Sequence, residues 1–133
     1  MPDTILETSQ LRKEYGALVA VDDVSMSIDE HALHSIIGPN GAGKTTFFNL
    51  LSGTVKPTSG RVLFRGEDIT TLPPYRTIHK GIGRSFQITN LFPSLTVFEN
   101  VRLATQAMGS NSFRFTKPVS AFPDEIERTT EVL

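Results

Sequence analysis

The chain contains no cysteine, which excludes a disulfide framework and a thiolate metal site. Long apolar runs are missing too: no stretch approaches the roughly eighteen residues of a membrane-spanning helix. Charge of one sign is not in excess, because thirteen basic residues face fourteen acidic ones for a net charge of −1. That balance gives no basic face for nucleic acid, and no block of like charge forms an interaction tail. His31, His34 and His79 do not fall at metal-ligand spacing with carboxylates, and the His31/His34 pair reads as surface or packing. The N-terminus carries Asp3 and Glu7 and lacks the basic segment and apolar run of a secretory signal. These absences point to a cytosolic, soluble protein, or to one held at a membrane by a partner. What is there is ordinary for a globular protein. The 133 residues are 38 % apolar and 20 % charged, enough for one domain with a core of its own.

Local patterning alternates strands and helices. Residues 4–13 and 17–29 read as strands. In the second, Val24, Met26 and Ile28 alternate with Ser25 and Ser27, the period of a half-buried edge or antiparallel strand. Residues 32–37 are short and apolar and end at Gly38-Pro39, which predicts a buried strand. From Gly43 to Ser52 the period becomes helical, with Phe47, Leu50 and Leu51 on one face and Gly53 as the stop. A turn at 56–60 leads into a strand over 61–65. A short helix is expected over 73–80, with proline at its start and Gly81 at its end. Residues 81–87 read as another short strand. Thr96 and Glu99 form a capping-box pattern, opening a helix with Val97, Val101, Ala104 and Met108 on one face. Residues 109–121 read as a loop. A last helix begins near Asp124, with Ile126, Thr130 and Leu133 on one stripe.

The strongest signal is Gly38-Pro39-Asn40-Gly41-Ala42-Gly43-Lys44-Thr45, a full match to G-x-x-x-x-G-K-[ST]. At average residue frequencies such a match arises by chance roughly 0.005 times in a chain of this length. An apolar segment precedes it and an amphipathic helix follows, the placement the chemistry requires. Backbone N–H groups from Gly41 to Thr46 can converge on phosphate oxygens, because glycine admits positive φ and close approach. The helix start adds partial positive charge. Lys44 supplies a point charge for the β- and γ-phosphates, and the Thr45 hydroxyl can ligand Mg²⁺. The expected ligand is a nucleoside triphosphate.

Gly38–Thr46, as GPNGAGKTT, resembles the phosphate loop of the ATP-binding subunits of ABC transporters. GIGRSFQ at 81–87 and LFPSLTVFENV at 91–101 resemble that family's Q-loop and the start of its helical subdomain. Together with FFNLLSG at 47–53, they look most like importers of branched-chain or related amino acids. The resemblance runs to about residue 108. It implies an α/β P-loop NTPase of the ABC ATPase type, truncated: an antiparallel β layer, a partly parallel phosphate-loop core and the start of a helical subdomain. The nucleotide-binding part would be 1–87 and the incomplete subdomain 88–133. Further roles follow from the resemblance alone. Tyr15, 23 residues before Gly38 within Glu14-Tyr15-Gly16, would stack on adenine, or else cap a strand end. Val21 would pack against the ribose or sit in the core. Gly38, Pro39, Asn40, Gly41, Ala42, Gly43, Lys44, Thr45 and Thr46 would hold ATP. Gln87 would reach Mg²⁺ and the attacking water. Ile88, Leu91 and Phe92 would contact membrane permease subunits, or be buried in the subdomain. A second ATP-binding subunit would complete a head-to-tail dimer on the inner face of the cell membrane.

Three parts of such an ATPase do not occur in the sequence: an LSGGQ-type motif, an apolar strand ending Asp-Glu, and a later switch histidine. Leu51-Ser52-Gly53 ends the phosphate-loop helix and is followed by Thr-Val. The expectation is an N-terminal fragment, poorly stable alone and nearly inactive in hydrolysis, since positioning and electrostatics carry phosphoryl transfer. Three readings are open: part of a transport ATPase, a nucleotide-binding fragment without turnover, or a soluble non-transport ABC ATPase. Near-neutral charge and the importer-like Q-loop region count against the last. The absence of D-x-x-G and N-K-x-D counts against a GTPase.

Overall fold

A computed structural model describes residues 4–85, 91–108 and 123–133, with backbone alone at Glu125. The chain divides into two compact units, Met1–Arg84 and Ser85–Leu133.

The first unit is built on a hairpin. Strand β1 (Thr4–Tyr15) turns back through Gly16-Ala17 into β2 (Leu18–Asp29), with Tyr15 paired to Leu18 and Gly16 at φ 60°. A two-residue hairpin turn needs such a left-handed position. Strands β3 (Ser59–Phe64) and β4 (Glu67–Asp68) complete a sheet of order β2-β1-β3-β4, antiparallel throughout. The expected period on β2 holds: Val24, Met26 and Ile28 are half-buried while Ser25 and Ser27 are exposed. The buried Thr8 hydroxyl bridges β2, donating to the Val24 carbonyl at 3.0 Å and accepting from Met26 N–H at 3.2 Å. A buried hydroxyl is tolerated when paired in this way.

Helix α1 (Lys44–Leu51) lays Phe47 and Leu50 into a core with Leu11, Val21, Val62, Phe64 and Ile69. Helix α2 (Pro74–His79) is short, with Pro73 at its cap. Buried Thr77 donates its hydroxyl to the carbonyls of Ser52, at 3.1 Å, and Pro74, at 2.8 Å, tying α2 to the end of α1.

Two expected strands are not seen among the described residues. Residues 32–37 have no ladder partner among the described residues, and Leu33 and Ile37 are 96 % and 94 % exposed. A strand exists only where a neighbour accepts and donates its backbone bonds, so an apolar run alone cannot make one. Residues 81–85 are likewise irregular; Phe86 and Gln87, the rest of that expected strand, lie outside the described residues. The partly parallel core expected around the loop is therefore not seen among the described residues.

In the second unit, helix α3 (Val97–Met108) opens on the expected capping box. Thr96 N–H donates to the Glu99 carboxylate at 2.8 Å, and the Thr96 hydroxyl accepts from Glu99 N–H at 3.2 Å. Helix α4 (Pro123–Val132) packs on α3, with the Thr105 and Thr129 hydroxyls 2.9 Å apart. On the two expected stripes, Val101 and Ile126 are half-buried. Val97, Ala104 and Met108 are exposed on α3, as are Thr130 and Leu133 on α4, while Thr129 is fully buried. Two helices touch along one narrow line, and here that line runs through the threonines. The loop expected over 109–121 lies outside the described residues. None of the described helices is long and apolar enough to cross a membrane.

Candidate functional site

Between the β1–β2 hairpin and the start of α1 lies a cleft of about 340 Å³, within the range of small-molecule sites, roughly 300–1,000 Å³. It is lined by Tyr15, by Leu18–Ala20 of β2, and by the run from Asn40 to Thr46. Lys44 is the one charged residue among them, so the cleft is electropositive.

Gly43 explains how the loop reaches the sheet. Its φ is 82°, and a Cβ there would lie 2.0 Å from the Ala20 carbonyl oxygen. Only glycine permits both the left-handed turn and that approach. The turn launches α1 at Lys44 with no side chain capping it. Phe47 N–H closes the first helical bond on the Gly43 carbonyl at 2.8 Å. The N–H groups of the first turn lack carbonyl partners within the helix, and they stand where Lys44, Thr45 and Thr46 line the cleft.

Lys44 is folded over the loop, its Nζ donating to the carbonyls of Gly38 at 2.5 Å and Pro39 at 2.7 Å. An ammonium has three donors, so a proton remains for an anion. Thr45 is exposed, its hydroxyl at the helix start.

Of the expected ligand-holding residues, the structure brings Tyr15, Asn40, Gly41, Ala42, Gly43, Lys44, Thr45 and Thr46 together around the cleft. Gly38 and Pro39 do not line it; their carbonyls accept from the Lys44 ammonium. Val21, left between ribose and core, is 6 % exposed and belongs to the core. Leu18, Val19 and Ala20 take the cleft wall instead. Their position just after the hairpin turn is the one sign of this role in the sequence. Gln87 and Ile88 lie outside the described residues. Leu91 and Phe92 are 64 % and 59 % exposed.

Arg84, two residues before the undescribed stretch, was not singled out by sequence. Its guanidinium donates to Asn49 Oδ1 at 2.5 Å and to Ser52 Oγ at 3.3 Å. It thereby fastens the segment after α2 to the last turn of α1.

The ABC transporter family model matches residues 21–132. The chain belongs to the ABC transporter family. It is 44 % identical over 104 residues to the high-affinity branched-chain amino acid transport ATP-binding protein BraF of Pseudomonas aeruginosa, covering 78 % of this chain and 41 % of BraF. Among solved structures, it is similar to a nucleotide-free ATP-binding cassette from an ABC transporter, at a TM-score of 0.80 and 34 % identity, covering 98 % of this chain and 53 % of that one. A dimeric cassette in a post-hydrolysis state with bound ADP and Pi superposes at a TM-score of 0.69 and 28 % identity, covering 96 % and 55 %. The fold is that of an ABC ATPase cassette in part, with its antiparallel layer, phosphate loop and first helices. The chain spans about two fifths of its curated relative's length and about half of each solved cassette.

Proposed function

We propose that this chain is the ATP-binding part of an ABC importer subunit for branched-chain or related amino acids, coupling ATP binding and hydrolysis to a membrane permease. The observation that carries the proposal is the phosphate loop set against Tyr15 across one electropositive cleft. The residues present fit a nucleoside triphosphate. The Gly43 cradle would be filled by any side chain, the first turn of α1 offers N–H donors, and Lys44 keeps a proton for an anion. In this reading Tyr15 stacks on the adenine. Lys44 neutralises the β- and γ-phosphates, which are also bound by N–H groups from Gly41 to Thr46. Mg²⁺ would be held by the Thr45 hydroxyl and the Gln87 amide oxygen, and would supply neutralisation of charge on the phosphates. Gln87 also orients the attacking water.

Residues 1–87 serve as nucleotide-binding core and 88–133 as the start of a helical subdomain. Ile88, Leu91 and Phe92 meet the permease, which holds the protein at the inner face of the membrane. A second ATP-binding subunit pairs with it head to tail; the dimeric state of the solved cassette supports the pairing itself. An LSGGQ-type motif, an Asp-Glu pair after an apolar strand and a switch histidine do not occur in these 133 residues. The chain by itself therefore binds ATP and turns it over very slowly.

The experiment is uptake of labelled leucine by cells in which the gene is deleted. Uptake should fall on deletion and return with the wild-type gene, but not with Lys44→Ala. Normal leucine uptake without the gene, with a different solute affected, would overturn the substrate assignment.

A further inference from the structure

The Lys13 ammonium lies over the Tyr15 ring, 5.0 Å from its centroid. Tyr15 lines the cleft and Lys13 does not. Lys13 is half-buried on β1, its backbone paired with Val21. Among the described residues it enters no ion pair. The neighbouring carboxylate of Glu14 is taken by Arg12, at 2.7 Å. The tyrosine ring is thus the one charge-sensitive partner that the described residues give this cation.

We propose that Lys13 is a positioning residue for the base of the nucleotide, acting through the Tyr15 ring from outside the cleft lining. This rests on the nucleotide-binding reading above and extends it to how the base is selected. A cation over one face of an aromatic ring is held by the ring's quadrupole. It draws π-electron density toward itself, which leaves the opposite face less negative and better suited to an electron-rich purine. It also restricts the ring to one orientation, so that less ordering remains to be done when the base arrives. Tyr15 is half-exposed at the end of a strand, where such a restraint has the most to contribute.

The test is equilibrium binding to the full chain of two probes, Mg-ATP and inorganic tripolyphosphate, the second having phosphates and no base. Lys13→Met keeps the length of the stem and removes the charge. It should weaken ATP about two- to fivefold and leave tripolyphosphate unchanged. Lys13→Arg keeps a cation over the ring and should restore the ATP affinity. With Tyr15→Leu in place, Lys13→Met should have no further effect. A thermal melt of each variant separates loss of fold from loss of binding. Equal weakening of both probes would show Lys13 acting as a charge on the phosphates, and would overturn the inference. An unchanged ATP affinity in Lys13→Met would also overturn it, while leaving nucleotide binding intact. Failure of the wild-type chain to bind either probe would remove the nucleotide-binding reading, and this inference with it.

Discussion

At the scale of single residues, Gly43 and Lys44 bear most of the site. Gly43 sits at φ 82° with the Ala20 carbonyl where a Cβ would go. Left-handed geometry alone costs a non-glycine residue about 1–2 kcal/mol, and here a backbone atom that cannot swing aside adds to it. Gly43→Ala should therefore lower stability by more than about 2 kcal/mol, read as a drop in urea midpoint, and should weaken ATP as the loop is pushed off β2. An unchanged midpoint would mean that the loop does not lie against the sheet. The phosphate loop was legible from sequence because its chemistry is local. Glycine, lysine and hydroxyl recur at fixed offsets, and the needed backbone angles restrict which residues can stand there. Val19 and Ala20 were not legible, because they become cleft wall only through the approach of a loop more than twenty residues away. Val21 could have gone either way on sequence, and burial beside Leu11 and Phe47 decides it.

Among the elements, the start of α3 shows a rule that sequence states in full. Thr96 and Glu99 satisfy each other's backbone donors, as the four-residue pattern requires. Hydrogen bonds from the Thr96 backbone N–H, and then from its hydroxyl, hold the Glu99 carboxyl below the usual glutamate range. A depressed carboxylate pKa stabilises the fold above the unfolded value, about 4.3, and the contribution is lost as pH falls through the lower folded value. Acid titration followed by helical circular dichroism should show that loss in the wild type. Glu99→Gln, which can still bond the Thr96 N–H but does not titrate, should show less of it. Equal acid sensitivity in both would remove the capping carboxylate from the account. Residues 32–37 are the opposite case. Their composition is that of a buried strand, yet a strand is a property of a pair, and no described strand lies beside them. On α3, likewise, period says which residues share a face, and only the neighbouring helix says which face is covered.

For the whole molecule, the antiparallel layer, the phosphate loop and the helix it launches were all within reach of sequence. The expected partly parallel core is not seen among the described residues, since strand pairing depends on what lies alongside. The central claim is that the cleft between the hairpin and α1 holds a nucleoside triphosphate by its phosphates. Calorimetric titration of the chain with Mg-ATP, beside Lys44→Ala, tests it most directly. A hydrogen bond to a charged group contributes about 1.5–3 kcal/mol, so the account predicts saturable one-to-one binding, weakened about 10- to 150-fold in the variant. Binding that Lys44→Ala leaves unchanged, or no binding by a folded wild-type chain, would contradict it.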